Sequence, residues 1–289
     1  MKTPLRIGIP SKGRLSELAG ELLREAGLSF RQQDRSLFAR VKSFSDDDTP
    51  IDVTFLRTDD IPVLCAEGAI DLGITGSDLV QEASVKVETI LALGMGNCRL
   101  AMCVPDDSPV VTAKDLGGDR IATSFPNVTR QYLNANGVTG HIVELSGSVE
   151  VMIALGIADA IVDLVETGST LAANRLRILD EIGRYETVLI KNPRTPQPEL
   201  CERVRRRLEG VVIARSYSLL EYNIPTAKLA AAEKLTPGFD SPTVNKLEDP
   251  AWCSVRAMVK RGEVISIMEQ LEALGAHAIL ETPIKNCRL

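Results

Sequence analysis

The chain of 289 residues is 44% hydrophobic and 25% charged, and its formal net charge is −6. This length predicts two or three domains, and the negative charge argues against a general attraction to nucleic acid or to an anionic membrane. Only 4% of the residues are aromatic, so an aromatic platform for stacking bases is not expected.

The residue content also restricts the compartment and the metal chemistry. The start of the chain lacks the apolar core of a signal peptide, and no apolar run approaches the roughly 20 residues of a membrane span. The six cysteines form no Cys-x-x-Cys pair and are expected to be buried, reduced thiols. The two histidines are too few for a multi-histidine metal centre. These observations predict a cytoplasmic protein that binds neither nucleic acid nor a membrane.

The first part of the chain alternates strands and helices. Apolar periodicity predicts a strand, a loop, an amphipathic helix that ends at Gly27, a second strand, a helix from Asp59 to Gly68, and a third strand. The three strands are residues 5–9, 51–56 and 70–75.

The same alternation returns further along the chain. The predicted elements are strands at residues 120–124, 141–145 and 159–165 and helices at residues 127–136 and 147–156. Residues 68–74 and 156–162 share one pattern, which is a Gly that ends a helix, a short turn, an Asp and an apolar strand. Such alternation predicts parallel sheets covered on both faces, and its repetition predicts two lobes with a cleft between them.

Two apolar connections, near residues 90–105 and 185–190, indicate that the chain leaves the first lobe, builds the second and returns. The first lobe is therefore predicted to comprise residues 1–92 and 183–211. The second lobe is predicted to comprise residues 93–182.

Residues 212–289 form a third predicted unit, in which strands and helices follow the β-α-β-β-α-β order of a ferredoxin-like module. Pro225 suits the start of its first helix and Gly275 the end of its second. A helix at residues 199–208 precedes this unit and carries the basic run Arg203–Arg207. In an acidic protein without interleaved aromatic residues, such a run is typical of a solvated helix face.

The sharpest local signal follows the predicted strand at residues 159–165. This strand delivers acidic side chains at its end, and a loop of small residues, Thr167–Thr170, then opens a helix. Successive backbone N–H groups at such a turn, with the positive end of the helix, form a cradle for an anion such as a terminal phosphate. The neighbouring carboxylates are suited to ribose hydroxyls or, through water, to a Mg²⁺ ion on a pyrophosphate. An ordinary N-capped turn after a strand is the alternative.

The segment Glu166-Thr-Gly-Ser-Thr-Leu171 resembles the phosphoribosyl pyrophosphate (PRPP) loop of phosphoribosyltransferases, although its acidic residues, Asp163 and Glu166, are separated rather than adjacent. Further segments match ATP phosphoribosyltransferases of the long form in the same order, namely residues 11–16, 71–76, 98–100, 120–124 and 147–150. The chain therefore resembles this family along essentially its whole length. The resemblance implies two lobes like those of periplasmic binding proteins and a C-terminal regulatory domain that binds histidine.

The resemblance also implies which residues form the reacting centre and the PRPP site. Lys12, Arg14 and Glu150 are expected at the reacting centre, where the two cations would bind pyrophosphate oxygens. The residues expected to bind PRPP are Asp159, Asp163, Glu166, Thr167, Gly168, Ser169, Thr170 and Leu171. From the residues alone, a basic pair on the surface and a helix-capping Glu150 are the alternatives.

Two further ligands have expected contacts. ATP is expected at Asp71, Leu72, Gly73 and Arg99, with Asp71 accepting from the adenine amino group and Gly73 admitting a base close to the backbone. Tight packing alone is the alternative for Gly73. The resemblance implies that Asn223, Thr243 and Ala278 contact allosteric histidine, although family members often carry Asp at position 223.

The implied reaction is attack of adenine N1 of ATP on C1 of the ribose of PRPP, with release of pyrophosphate, at the first step of histidine biosynthesis. Mg²⁺ and the two cations would stabilise the departing pyrophosphate. Because adenine N1 already carries a lone pair, no essential His or Cys is predicted. The resemblance also implies feedback inhibition by histidine, relieved by truncation near Ala214, and homo-oligomers such as dimers and hexamers.

Three other functions share parts of this pattern. A solute-binding protein would have two lobes, but it would usually carry a secretion signal and lack the third unit. A ligand-sensing regulator of the same architecture would need a DNA-binding helix-turn-helix, and the sequence shows none. A phosphoribosyltransferase that uses another acceptor base stays open on the sequence alone.

Overall fold

The computed structural model describes residues 3–32, 36–42, 49–166 and 168–288. The chain forms two compact units, Met1–Glu21 with Phe30–Glu202, and Leu22–Ser29 with Arg203–Leu289. Across the described ranges, the structure has no helix that is both long and apolar enough to span a membrane.

The helices and strands alternate along the chain. In the first half they are β1 (Leu5–Pro10), α1 (Arg14–Glu25), β2 (Phe38–Arg40), β3 (Ile51–Leu56), α2 (Asp60–Ala66), β4 (Leu72–Gly76), α3 (Ser77–Ala83), β5 (Glu88–Ala92), β6 (Cys98–Pro105), β7 (Arg120–Thr123), α4 (Pro126–Ala135) and β8 (His141–Glu144). In the second half they are α5 (Val151–Ala154), β9 (Ala160–Val165), α6 (Ser169–Ala173), β10 (Leu176–Tyr185), β11 (Thr187–Lys191), α7 (Pro198–Ser216), β12 (Tyr217–Pro225), α8 (Leu229–Leu235), β13 (Thr243–Lys246), β14 (Trp252–Lys260), α9 (Val264–Ala273) and β15 (His277–Pro283).

The first lobe contains a six-stranded sheet in the order β2-β3-β1-β4-β11-β5. Strand β1 is parallel to β3 and β4, and β11 runs antiparallel to β4 and β5. Leu5 and Ile7 of β1 are completely buried, as expected for parallel strands that are covered on both faces. Because β1, β3 and β4 are parallel, the loops that follow all three strands emerge at the same edge of the sheet.

The second lobe contains a five-stranded sheet in the order β10-β6-β9-β7-β8. Strands β7, β8 and β9 are parallel, whereas β6 is antiparallel to both β9 and β10. The α/β class and the two predicted lobes are therefore confirmed. The helix predicted at residues 147–156 is shorter than expected, because only the four residues Val151–Ala154 are helical.

The sequence duplication corresponds to one repeated hydrogen-bonding arrangement. Asp71 Oδ2 accepts from the backbone N–H of Arg6 at 2.9 Å, and Asp159 Oδ2 accepts from the backbone N–H of Arg120 at 3.0 Å. In each lobe the Asp backbone N–H also donates to the same partner's carbonyl, at 2.9 Å and 2.8 Å respectively. Each Asp thus joins the amino ends of two parallel strands in its own lobe.

The C-terminal residues form a four-stranded antiparallel sheet in the order β13-β14-β12-β15. With α8 and α9 this is the predicted β-α-β-β-α-β arrangement, and the first helix begins with a short 3₁₀ turn at Thr226–Lys228. Leu220, Tyr222 and Ile224 alternate along β12 and are completely buried. They pack with residues of α8 and α9, so the helices cover one face of this sheet. The predicted boundaries of the three sequence domains stay a proposal.

Candidate functional site

A cavity of about 400 Å³ opens at the carboxyl end of β9, and we call it the loop cavity. Its lining residues come from the acidic strand, from the loop that follows and from the residue before α5: Glu150, Asp163, Leu164, Val165, Glu166, Gly168, Ser169, Thr170 and Leu171. The structure therefore brings most of the residues predicted for PRPP together with Glu150. Thr167, which was predicted with them, lies outside the described residues.

Gly168 gives the loop its backbone geometry. It precedes α6 with φ of 82° and ψ of 1°, a left-handed conformation that only glycine adopts without strain. Among the described residues, no atom lies within 4 Å of the position that a Cβ on Gly168 would take, so they leave this side of the loop open. The sequence signal of a small-residue turn before a helix thus corresponds to an open turn beside the loop cavity.

The carboxylates of the loop cavity differ in their surroundings. The pKa of the Asp163 carboxyl is raised overall, first by burial and also by the negative charge of Glu150. A hydrogen bond from the backbone N–H of Leu164 opposes this rise. Asp163 Oδ1 accepts from that N–H at 2.8 Å. Because the two carboxylates repel each other, a cation or a donor-rich ligand between them would be favoured.

A second cavity, of about 260 Å³, lies between the lobes, and we call it the interlobe cavity. Its lining is mostly apolar with a few charged side chains: Arg14, Leu15, Leu18, Thr58, Gly76, Asp78, Leu79, Gly96, Cys98, Leu164, Glu166 and Thr187. The first lobe contributes α1, which follows β1, Thr58 after β3, and the end of β4 with α3. This is the edge where ligands bind in open parallel sheets.

Arg14 lines the interlobe cavity and approaches Glu166, which lines both cavities. It is the first residue of α1, and its Nη1 atom lies 3.9 Å from Glu166 Oε2 in the second lobe. Lys12 is exposed in the loop before it. Arg14 therefore borders the cleft, whereas Lys12 lines none of the three described cavities, and the role of both cations stays a prediction.

A third cavity, of about 380 Å³, continues from the same region, and we call it the arginine cavity. Its lining residues are Asn97, Cys98, Arg99, Val165, Glu166, Arg184 and Tyr185. Arg99 Nη1 lies 3.7 Å from Glu181 Oε2, and Arg184 Nε donates to Glu181 Oε1 at 2.7 Å. Both guanidinium groups are thereby held on one side of the cleft.

The three cavities meet at one residue. Glu166 lines the loop cavity, the interlobe cavity and the arginine cavity. Its position just after β9 places it where the strand ends and the loop begins. Ligands that filled all three cavities would therefore meet beside Glu166.

The lobes are joined beside the cleft by a helix-capping carboxylate. Glu82 of α3 accepts from the backbone N–H groups of Asn127 and Val128 at 2.9 Å and 3.0 Å. These N–H groups belong to the first turn of α4, where a negative charge also interacts favourably with the helix dipole. The contact fixes the spacing of the two lobes on this side of the cleft.

Five of the residues predicted for the reacting centre, PRPP or ATP do not line the described cavities: Lys12, Asp71, Leu72, Gly73 and Asp159. Asp71 and Asp159 lie just before β4 and β9, at the opposite edge of each sheet from the cleft. Asp71 also accepts from Thr195 Oγ1 at 2.6 Å, and Asp159 is ion-paired with Arg120 at 2.8 Å. A strand of five or six residues separates either carboxylate from the cleft by roughly 17–20 Å. These hydrogen bonds give both residues a structural role in joining strands.

Leu72 and Gly73 also lie away from the cleft. Leu72 is completely buried. A Cβ on Gly73 would meet Ile61 Cγ2 at 2.6 Å and Ile190 Cγ1 at 3.1 Å. Gly73 therefore serves the close packing of β4 against its neighbours, which is the alternative that the sequence left open.

Sequence reasoning missed several residues of the cleft, among them Thr58, Asp78 and Arg184. Asp78 follows the carboxyl end of β4 by two residues, whereas Asp71 precedes its amino end. The rule that ligands bind at the carboxyl ends of parallel strands would have favoured Asp78. No comparable signal marks Arg184, because it lies on an antiparallel strand whose pairing the sequence does not reveal.

The structure gives the surroundings of the cysteines and histidines, and their being inessential for activity stays a prediction. All six cysteines are free; four are buried, and Cys98 and Cys287 are partly exposed. Burial, together with the charges of Asp78 and Glu166, raises the pKa of the Cys98 thiol to about 11. His277 packs on Trp252 with ring centroids 4.4 Å apart. Neither it nor His141 lines any of the three described cavities.

The residues predicted to bind histidine all belong to strands of the C-terminal sheet. Asn223 of β12 pairs with Ser254 and His277, and Thr243 of β13 pairs with Arg256. By register and alternation, Asn223 and Thr243 face away from the side covered by α8 and α9. Ala278 has φ of 51° and lies at the irregularity in the pairing of β12 with β15.

Fold and cavities together define a two-lobed α/β protein in which three cavities, one of them beside a small-residue turn and one lined by Arg14, meet at one carboxylate, an arrangement suited to a transferase acting on phosphorylated substrates. Two family models match the chain: ATP phosphoribosyltransferase over residues 57–210, and the HisG C-terminal domain over residues 214–286. The chain belongs to the ATP phosphoribosyltransferase family, whose members are pentosyltransferases.

Individual relatives agree with the family models. The chain is 64% identical over 285 residues to the ATP phosphoribosyltransferase of Rhodopirellula baltica, covering 99% of this chain and 94% of the relative. It is 42% identical over 286 residues to that of Corynebacterium diphtheriae, covering 99% and 100%. Among solved structures, a chain of the ATP phosphoribosyl transferase (HisG:HisZ) complex from Thermotoga maritima matches with a TM-score of 0.60 and 32% identity, covering 71% of this chain and 98% of that one.

Proposed function

We propose that this chain transfers the 5-phosphoribosyl group of PRPP to N1 of ATP and releases pyrophosphate. The observation that carries the proposal is the convergence of three cavities on Glu166. Each cavity suits a different part of the two substrates, and the atoms that react would meet where the cavities join.

The loop cavity would take PRPP. The 5′-phosphate is assigned to the open turn at Gly168–Thr170, where backbone N–H groups and hydroxyls can donate to an anion. Asp163 and Glu166 are assigned to the ribose hydroxyls, because carboxylates accept hydrogen bonds from them. Asp159 is left out of this assignment, since its carboxylate is engaged by Arg120.

The other two cavities would take ATP. The interlobe cavity is lined by Leu15, Leu18 and Leu79, which suit the faces of an adenine ring. Arg99 and Arg184 of the arginine cavity would bind the triphosphate, because guanidinium groups pair with phosphate oxygens in fork geometry. The nucleobase would then point toward Glu166 and the ribose of PRPP.

In this arrangement catalysis depends on alignment and charge. The N1–C1′ bond forms as the bond from C1′ to the pyrophosphate oxygen breaks, and the electron pair leaves with pyrophosphate. Arg14 and Lys12 would stabilise the departing pyrophosphate, and the two lobes would hold nucleophile and leaving group on opposite faces of the ribose. Positioning of this kind can contribute several kcal/mol, on the order of 7–11 for ideal alignment.

Magnesium fits this site as a substrate-borne ion. Among the described residues no group of three or more His, Cys, Asp and Glu could hold a metal by itself. Mg²⁺ commonly takes one or two carboxylates and completes its shell with substrate phosphates and water. Glu150 and Asp163, whose charges repel across the loop cavity, are the residues assigned to face it. When bound, Mg²⁺ would neutralise charge on pyrophosphate.

The C-terminal module is proposed to bind histidine as an inhibitor and so to regulate the enzyme, and homo-oligomers are proposed for the full chain. Support comes from the match of residues 214–286 to the family's C-terminal domain and from the shared face of Asn223 and Thr243. Binding to a site distinct from the cleft would couple the two ligands reciprocally. We propose residues 212–289 as the regulatory domain and a cytoplasmic location.

The test is a direct assay. The protein is mixed with ATP, PRPP and Mg²⁺, and ultraviolet absorbance is followed for the N1-substituted adenine. Replacing ATP with other nucleobases and nucleotides tests whether another acceptor is used. Replacing Gly168–Thr170 with acidic residues should abolish PRPP binding measured by calorimetry, and unchanged PRPP affinity would contradict the assignment of the loop cavity.

A further inference from the structure

One buried carboxylate in the interlobe cavity has no part in the transfer as described above. Asp78 lies in the first turn of α3 and is only 6% exposed, yet it lines the cavity. Within the described part of the chain, no cationic side chain pairs with it. The hydrogen bonds that offset its burial come from backbone N–H groups of Asp78 itself and Leu79. Burying a charge without an ionic partner is costly, and such groups concentrate at functional sites.

The absence of a side chain at Gly76 leaves the space that the Asp78 carboxylate occupies. A Cβ on Gly76 would lie 2.0 Å from Asp78 Oδ1, closer than any two non-bonded atoms can approach. Gly76 has φ of −75° and ψ of 142°, an ordinary extended conformation that any residue adopts. A side chain at this position would therefore displace the Asp78 carboxylate from its place in the cavity, whereas the backbone itself does not call for glycine.

The surroundings of Asp78 match one edge of a nucleobase. Apolar side chains, Leu15, Leu18 and Leu79, line the same cavity. A carboxylate at the end of an apolar slot accepts hydrogen bonds and donates none while it is ionised. It would therefore favour a base whose edge carries an amino group and disfavour one that carries a carbonyl oxygen there.

We propose that Asp78 accepts a hydrogen bond from the 6-amino group of the acceptor adenine, selects adenine over 6-oxopurines, and stabilises the charge that adenine acquires in the reaction. This proposal rests on the proposed function of the cleft. As N1 uses its lone pair to bond C1′, the ring gains a positive charge that it shares with the 6-amino nitrogen. The N–H of that nitrogen would then donate to Asp78 more strongly than before the attack, so the interaction favours the transition state.

The rival explanation is that Asp78 only caps helix α3. A capping role predicts a loss of stability when the carboxylate is removed and the same change in activity for every nucleotide. Recognition of the amino group predicts a change that depends on the group at position 6 of the purine. The two explanations therefore predict different ratios of activity between nucleotides with and without the 6-amino group.

The first experiment compares Asp78→Asn with the wild-type chain, using ATP and inosine triphosphate as acceptors. Asp107→Asn is the matched control, since Asp107 is exposed after the far end of β6. For Asp78→Asn we expect kcat/KM with ATP to fall roughly 10- to 100-fold, as loss of a hydrogen bond to a charged group predicts. The ratio of inosine triphosphate to ATP use should rise, the PRPP dissociation constant should stay unchanged, and the control should match wild type. Equal losses for both nucleotides, or no loss with ATP, would overturn the proposal.

The second experiment uses Gly76→Ala in two backgrounds. In the wild-type background the new methyl group displaces the Asp78 carboxylate, so discrimination against inosine triphosphate should fall. In an Asp78→Ala background the same methyl group meets no carboxylate, so it should cause little further change. If Gly76→Ala is equally harmful in both backgrounds, Asp78 is not the reason for glycine, and the proposal fails.

Binding measurements separate this proposal from the proposed function. Calorimetry with ATP and inosine triphosphate on the wild-type chain and on Asp78→Asn needs no turnover. If the wild-type chain binds ATP in preference and Asp78→Asn loses that preference, the role of Asp78 stands even if no phosphoribosyl transfer is detected. If transfer is detected but the preference is unchanged in Asp78→Asn, the proposed function stands and the role of Asp78 fails.

Discussion

Arg14 in the first lobe and Glu166 in the second lobe form an ion pair across the cleft, with Nη1 and Oε2 3.9 Å apart. Both side chains are largely exposed, 81% and 64% respectively, so the pair contributes little to stability. Its significance is positional, because Arg14 stands beside the residue where three cavities meet. A phosphate group entering the cleft would compete with Glu166 for this guanidinium.

Replacing Arg14 with Gln is expected to lower kcat roughly 10²–10³-fold, as removal of one group that stabilises developing charge predicts. The melting temperature should be unchanged. Arg40→Gln is the control, since Arg40 forms a comparable surface ion pair with Asp52 at the edge of the sheet away from the cleft. Steady-state kinetics with ATP and PRPP check the effect, and equal rates for the two variants would contradict the role of Arg14.

Gly168 and Gly137 allow backbone strain to be separated from ligand binding. Both have positive φ, 82° and 69°, and in the described part of the chain no atom lies within 4 Å of an added Cβ at either position. Alanine at either position should therefore cost about 1–2 kcal/mol of folding free energy. Only Gly168→Ala should also weaken PRPP binding. Calorimetry checks the affinity, and thermal melting checks the strain; a loss of PRPP affinity in Gly137→Ala as well would mean that the effect is general.

Asp78 makes stability depend on pH in a definite direction. Burial raises the pKa of Asp78 in the folded chain above the unfolded value of about 3.9, so the folded state holds this proton more tightly. Stability is therefore lost as pH rises from about 3.9 through the raised folded pKa. The groups that share its surroundings are Arg14, Cys98, Glu166 and Tyr185.

Because the pKa of Asp78 is raised in the folded chain, we expect Asp78→Asn to melt at a higher temperature than the wild type at neutral pH. The difference should shrink toward zero as pH falls below about 4, where the wild-type carboxyl is protonated in both states. Thermal melts across this pH range provide the measurement. A variant that is less stable than the wild type at neutral pH would indicate that the carboxylate stabilises the fold.

Cys98 borders two of the cavities, yet it should not be essential. Because the pKa of its thiol is raised to about 11, Cys98 is uncharged at neutral pH and a poor nucleophile. We expect Cys98→Ser to keep most of its activity, whereas loss of a nucleophile or general acid would cost roughly 10²–10⁴-fold. Rates with both substrates saturating test this, together with slow alkylation of Cys98 by iodoacetamide.

The open face of the C-terminal sheet can be tested for histidine binding. Asn223→Ala should raise the histidine concentration needed for half inhibition about tenfold, as loss of one hydrogen bond to a charged ligand predicts. The uninhibited rate should be unchanged. Gln270→Ala on α9 is the control, because that helix covers the other face. If Asn223→Ala is inhibited like the wild type, the effector site lies elsewhere.

The two aspartates on either side of β4 illustrate the limit of sequence reasoning. Asp71 precedes the amino end of a buried strand and Asp78 follows its carboxyl end, so the rule for parallel strands favours Asp78 but does not show that its side chain lines a cavity. Which edge of the sheet faces the second lobe depends on contacts such as that of Glu82 with the first turn of α4. Those contacts join residues distant in the chain, so no local pattern reports them.

Local patterns determined the elements of this protein. The alternation of strands and helices, the duplication of Asp71 and Asp159, the β-α-β-β-α-β order and the small-residue turn after β9 all arise from periods and turn preferences within short segments. The tertiary structure alone decided which side chains share a cavity: it brought Arg14 to Glu166, turned Asp78 into the cleft, and left Asp71 to join two strands. The reason is that a strand has two ends and two faces, and only long-range packing determines which of them meets a partner.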